Sequence, residues 1–171
     1  SAFSIALDDF TVAFVPVPPI VEGLNGDRTT VVTDTAVYFD LTGVGEDPAT
    51  VSDADSTDFN GGYLLLEWST DVDHSAAIGT QANASFLADM ADGKVKFGTS
   101  EGAADGTPAG ADNVYVNVGS TWTLVGTVDA TKNGQGTDLK INFTTADAMP
   151  ATASTILQYL QFKASVAGEY A

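Results

Sequence analysis

The chain has 171 residues, 23 of them acidic against 6 basic, for a formal net charge of −17, and it contains no cysteine. That balance opposes binding to nucleic acid or to an anionic membrane surface and makes cations the natural partners, while the missing cysteine removes disulfides and thiolate metal sites. The length suits one large domain with a core of its own, and no run approaches the roughly 20 apolar residues of a membrane-crossing helix, so no direct membrane insertion is expected.

Residues 1–15 open with two alternating apolar triplets, Phe3-Ile5-Leu7 and Phe10-Val12-Phe14, separated by Asp8 and Asp9. Such a ribbon cannot bury its apolar face by itself. It must pack either on its own body or in the sheet of a neighbouring copy, as a donated strand. Residues 16–20 follow as a stiff extended connector, because Pro16, Pro18 and Pro19 fix φ and remove donors.

Residues 21–171 read as a β-sandwich. Period-2 alternation recurs at Val31 to Phe39, Tyr63 to Trp68, Val95-Phe97, Val114-Val116-Val118, Trp122 to Val128, Leu139-Ile141-Phe143 and Leu160-Phe162, with Gly, Asp, Asn, Thr and Ser clusters between. These are signals of half-buried antiparallel strands, at spacings of a sandwich rather than of βαβ units. One short helix is predicted at Ala151 to Gln158, behind Pro150 in a first-turn position that proline tolerates. A second helical turn is predicted at Ala84 to Met90.

The segment Pro18-Pro19-Ile20-Val21-Glu22-Gly23-Leu24, the run from Val51 through Asp53, Asp55 and Asp58 to Gly61-Gly62 before a strand at Tyr63, and the strand, Ala-rich helix and strand from Asp138 to Leu160 carry a family likeness. Over roughly residues 18–166 the chain resembles the cadherin-like, immunoglobulin-like tandem repeats of large bacterial RTX-type surface adhesins. The resemblance implies an immunoglobulin-like (cadherin-like) antiparallel sandwich and an extracellular, cell-surface setting. In those repeats a terminal hairpin follows the strand matched here by Leu160 to Val166, whereas a hairpin-like segment, Phe3 to Phe14, here stands in front. A sandwich short of its last strand exposes an edge that recruits another.

Asp53, Asp55 and Asp58 fall in a Gly-terminated loop and present hard oxygen ligands suited to Ca²⁺, though without the twelfth-position Glu of an EF-hand loop. The same residues also suit Asx capping of turns. Asp8 and Asp9 are secondary cation candidates, placed to relieve repulsion between copies. Zinc is disfavoured, since His74 is the only nitrogen ligand, and one histidine among loop carboxylates offers no triad. Glu22, Glu46, Glu67 and Glu101 fall in no catalytic motif. Trp68 and Trp122 offer a sugar-stacking platform, but their place in alternating strands favours the core. Asn83-Ala84-Ser85 and Asn142-Phe143-Thr144 match the glycosylation acceptor pattern, with Asn142 expected to face outward.

The expectation is a non-enzymatic extracellular structural subunit, stabilised by Ca²⁺, whose partners are other copies of itself and whose N-terminal strand builds a filament, sheath or surface layer. A stalk repeat of a giant adhesin and a carbohydrate-binding module with cell-surface or glycan ligands are the alternatives.

Overall fold

The structure, a computed structural model, describes residues 17–24, 32–38, 40, 48–67 and 81–167. The apolar ribbon of residues 3–14 lies outside them, as do Asp8, Asp9, Trp68 and His74. What is described is mostly β: three antiparallel sheets and one α-helix.

The largest sheet has five strands in the order β4 (Tyr63–Leu66), β9 (Leu139–Phe143), β8 (Thr121–Asn133), β7 (Asn113–Val118) and β6 (Val95–Gly98). A second sheet places β10 (Leu160–Ala164) between β2 (Val37–Tyr38) and β5 (Ala84–Ala88). A third is a two-stranded ribbon of β1 (Ile20–Glu22) and β3 (Thr50–Ser52).

Alternation decides which side chains enter the core. Val95 and Phe97 of β6, Val114 and Val116 of β7, Val128 of β8, and Leu139, Ile141 and Phe143 of β9 point to one face. They meet Phe86 and Ala88 of β5 and Leu160, Phe162 and Ala164 of β10 in a single apolar cluster, a sandwich-like arrangement. Burying each of the larger side chains is worth about 1.5–3 kcal/mol, so this shared interior is the main source of stability.

The helix α1 (Pro150–Tyr159) forms where the sequence predicts it, with proline in its first turn. It buries Ala153, Ile156 and Leu157 and fastens β3 from the side: the Val51 amide donates to Ser154 Oγ at 2.8 Å, and Gln158 Nε2 donates to the Ala49 carbonyl at 2.7 Å. The ribbon's other strand is little sheltered. Ile20 and Val21 point to opposite faces of β1, yet both are about half exposed, at 52% and 51%.

Two expectations change. Ala84 to Met90, predicted as a helical turn, contains strand β5, in full register with β10 from Leu160↔Ala88 to Ala164↔Ala84. Ala84, Phe86 and Ala88 alternate inward, and that tertiary pairing outweighs the helical preference of Ala, Leu and Met. Within the expected strand from Val31 to Phe39, the described residues form only Val37–Tyr38, after a turn at Thr33-Asp34.

The margins of the sheets are unequal. At β6 the following segment folds back, with Phe97 and Asp105 exchanging backbone bonds of 2.8 and 2.7 Å. At β5 the outer margin is met by Gly134, Gly136 and Gly106, through bonds from the amides of Phe86, Gly136 and Ala88. Gly106 has to be glycine, because a Cβ there would stand 2.4 Å from the Ala88 carbonyl oxygen. Among the described residues no strand pairs with the outer margin of β4.

Candidate functional site

The acidic loop joins β3 to β4. Asp53 Oδ1 accepts from the amides of Asp55 and Ser56, both at 3.1 Å, and Asp58 Oδ1 accepts from the amide of Asn60 at 3.0 Å. These are Asx turns, in which a short side chain replaces the backbone acceptor that a bend removes. The Asp55 amide, opposed by desolvation and aided by the Ser56 amide, holds the Asp53 carboxyl below its usual range. Asp55 reaches elsewhere: its Oδ2 accepts from the Val17 amide at 2.8 Å. This bond ties the connector to the loop, and the pairing Ile20↔Ser52 sends the preceding residues in the same direction. Val17, the first described residue, is therefore held beside Asp55.

For a cation, each of the three carboxylates has one oxygen committed to a backbone amide. Among the described residues no three His, Cys, Asp or Glu side chains lie close enough together to hold a metal ion. The Asp53 and Asp58 hydrogen bonds match turn capping.

A second constellation is invisible in the spacing of the sequence. Tyr38 on β2 donates toward Asp89 Oδ2 at 3.0 Å and toward Asp92 Oδ2, partners 51 and 54 residues away. Asp89 also accepts from the Ala91 amide at 2.8 Å and, at longer range, from Gln161 Nε2. The Asp92 hydrogen bond, then burial, then Asp89 push the Tyr38 hydroxyl well above the usual phenol range. One hydroxyl proton serving two carboxylates clamps β2 to the turn after β5.

The third lies on the outer face of the five-stranded sheet. Cα register places Lys96 opposite Tyr115, Tyr115 opposite Leu124, and Asn117 opposite Trp122. Lys96 is only 7% exposed. Its ammonium lies 4.1 Å from the Trp122 ring centroid and 5.7 Å from that of Tyr115, and donates to the Glu101 carbonyl at 2.9 Å. The charge is thus held by two π faces, a carbonyl and the Glu101 carboxylate at 3.8 Å, an arrangement that keeps a buried ammonium solvated by the protein. Trp122, expected in the core, is therefore an outer-face residue.

The same face continues through Thr127, Asn142 and Tyr63, which are successive register partners. Asn142 lies on this outer face as expected but is half-buried between two paired strands, and Asn83 is half-buried at the end of a 3-10 turn before β5. Tyr63 is 60% exposed, with the Lys140 ammonium 4.6 Å from its ring centroid. Asp129 accepts from the amides of Thr131 and Lys132 at 2.9 and 3.2 Å, which hold its carboxyl far below the ordinary range.

Within the described residues no helix is long and apolar enough to cross a membrane. Comparison with protein-family models, with curated proteins and with solved structures finds no match for this chain.

Proposed function

We propose that this chain is an extracellular, non-enzymatic structural module with an immunoglobulin-like sandwich for a body, joined copy to copy through its N-terminal strand. The observation that carries the reading is the tether of Val17 to Asp55. It holds the connector against a body whose main core is built from the described strands, and the two apolar triplets Phe3-Ile5-Leu7 and Phe10-Val12-Phe14 precede that connector in the sequence. An apolar ribbon joined to such a body by a proline-rich connector suits strand donation to a neighbour. The likeness to adhesin repeats supports the same surface setting.

Calcium is proposed as an assembly aid rather than a caged ion. A net charge of −17 makes copies repel, and a divalent cation shared between the Asp8-Asp9 region of one copy and the acidic surface of the next would relieve that repulsion. The test is sedimentation and negative-stain microscopy of the intact chain and of a chain lacking residues 1–14, each with Ca²⁺, with EDTA and at matched ionic strength. Polymers from the intact chain, lost on deletion and weakened by EDTA, are the expected result. Polymers unchanged by deletion refute strand donation, and indifference to EDTA at constant ionic strength removes calcium.

A second reading rests on Trp122. Its outer-face position, on the same sheet face as the exposed Tyr63, offers aromatic rings of the kind on which sugars stack in carbohydrate-binding modules. Glycan-array binding abolished by Trp122→Ala in a folded variant would favour it.

A further inference from the structure

The unequal margins of the five-stranded sheet provide an internal control. On β6 the inner-row residues Val95 and Phe97 are 1% and 0% exposed, because the segment through Asp105 folds over that edge. On β4 the inner-row residues Leu64 and Leu66 pair with Ile141 and Leu139 and pack against the same core, yet both are only half-buried. Sheet, row and core are the same at the two ends, and among the described residues only one margin carries a neighbour. A row of leucines half-covered at a strand edge accepts one further strand, provided that strand brings apolar side chains at every second position.

From this we infer that the outer margin of β4 is an acceptor edge, and that its occupant is the N-terminal segment of a second copy, pairing through Phe3-Ile5-Leu7 or Phe10-Val12-Phe14. This assignment rests on the strand-donation reading and adds the acceptor to it. Each triplet spans five residues with apolar side chains at alternate positions. A strand of that length is about 17 Å long at ~3.4 Å per residue, enough to cover the four residues of β4 with one to spare. Added beside β4, it would set one apolar row against Leu64 and Leu66 and turn the intervening polar positions, Ser4 or Thr11, toward the outer face beside Leu65.

Cysteine cross-linking of the full chain tests this without touching the core, since the natural chain has no cysteine. One preparation carries Leu65→Cys and a second carries Ser4→Cys or Thr11→Cys. Circular dichroism first establishes that each variant keeps the parent fold. The two are then mixed under assembling conditions, oxidised mildly and mapped by peptide mass spectrometry.

The expected result is an inter-chain disulfide joining the Leu65→Cys chain to the Ser4→Cys or Thr11→Cys chain, formed at least tenfold more efficiently than with Glu101→Cys beside the closed margin. Assemblies that form without that enrichment, or that cross-link instead at Val21→Cys on β1 or Tyr38→Cys on β2, overturn the β4 assignment and leave strand donation standing. A chain carrying both substitutions that closes only within itself overturns both. Failure of the parent chain to associate at all refutes the donation reading, and the acceptor falls with it.

Discussion

Gly126 lies in the middle of β8, paired to Val114 on one side and Phe143 on the other. Its φ is not in the left-handed region, so backbone freedom is not what the position demands. Space is: a Cβ there would stand 2.2 Å from the Asn142 carbonyl oxygen, 3.0 Å from the Asn142 carbonyl carbon and 3.2 Å from Phe143 Cα. All three are backbone atoms of β9, which is itself held by β4 on its far side, so relief requires β8 and β9 to separate by about 1 Å. Overpacking of this kind costs about 1–3 kcal/mol and occasionally more, and Gly126→Ala is expected at the upper end, about 3 kcal/mol. For a domain of this size, about 2–4 °C of melting temperature is lost per kcal/mol, which gives about 6–12 °C. Thermal and urea unfolding followed by circular dichroism measures it. Gly102→Ala is the control, because nothing stands within 4 Å of its added methyl and its φ is unremarkable; it should be neutral or stabilise by a few tenths of a kcal/mol. A Gly126→Ala melting point within 2 °C of the parent would refute the claim that the β8–β9 approach is fixed.

Three further outcomes follow from the polar groups. Asp129 is depressed below the ordinary carboxyl value of ~3.9 by the Thr131 and Lys132 amides, so its contribution is full above about pH 4 and is lost as pH falls below that; Asp129→Asn should flatten the decline of the urea midpoint between pH 5 and 2.5. Tyr38 is raised above the usual phenol value of ~10, so its contribution is present below about pH 10 and is lost as pH rises further. The difference in 295 nm absorbance between the parent and Tyr38→Phe should therefore show no phenolate from Tyr38 at pH 10.5. Asp55→Ala removes the acceptor of the Val17 amide and should speed hydrogen exchange at Val17 at least tenfold, with global stability changed by less than about 1 kcal/mol, as expected for an exposed hydrogen bond.

Most of the β architecture could be read from the alternation of apolar residues, because strands with one buried face leave a period of 2 in the chain, as Val114-Val116 and Leu139-Ile141-Phe143 do. Trp122 shows where that reading fails. Strict alternation places 122, 124, 126 and 128 on one face, and since Val128 is buried, Trp122 should be too. A bulge opposite Val114 and Tyr115 inserts Val125 and reverses the phase, so Trp122 and Leu124 face outward while Val128 faces in. Ala84 to Ala88 was ambiguous for a different reason: five residues of Ala, Ser, Phe and Leu fit either period, and only the pairing with β10 decides. The Asx spacing of Asp53, Asp55 and Asp58 was legible as turn chemistry, whereas the reach of Asp55 to Val17 and the clamp of Tyr38 on Asp89 and Asp92 join residues far apart in sequence and leave no local signal.

The inequality of the sheet margins also bears on symmetry. A two-fold pair requires each copy to offer the same patch to the other. Contact between a margin on one copy and a different segment on the next meets that condition only when the donation is reciprocal; when it is one-way, each copy keeps one unsatisfied half of the contact. Such association stops only when the rotation between neighbours closes a ring, and otherwise continues without a set number of members.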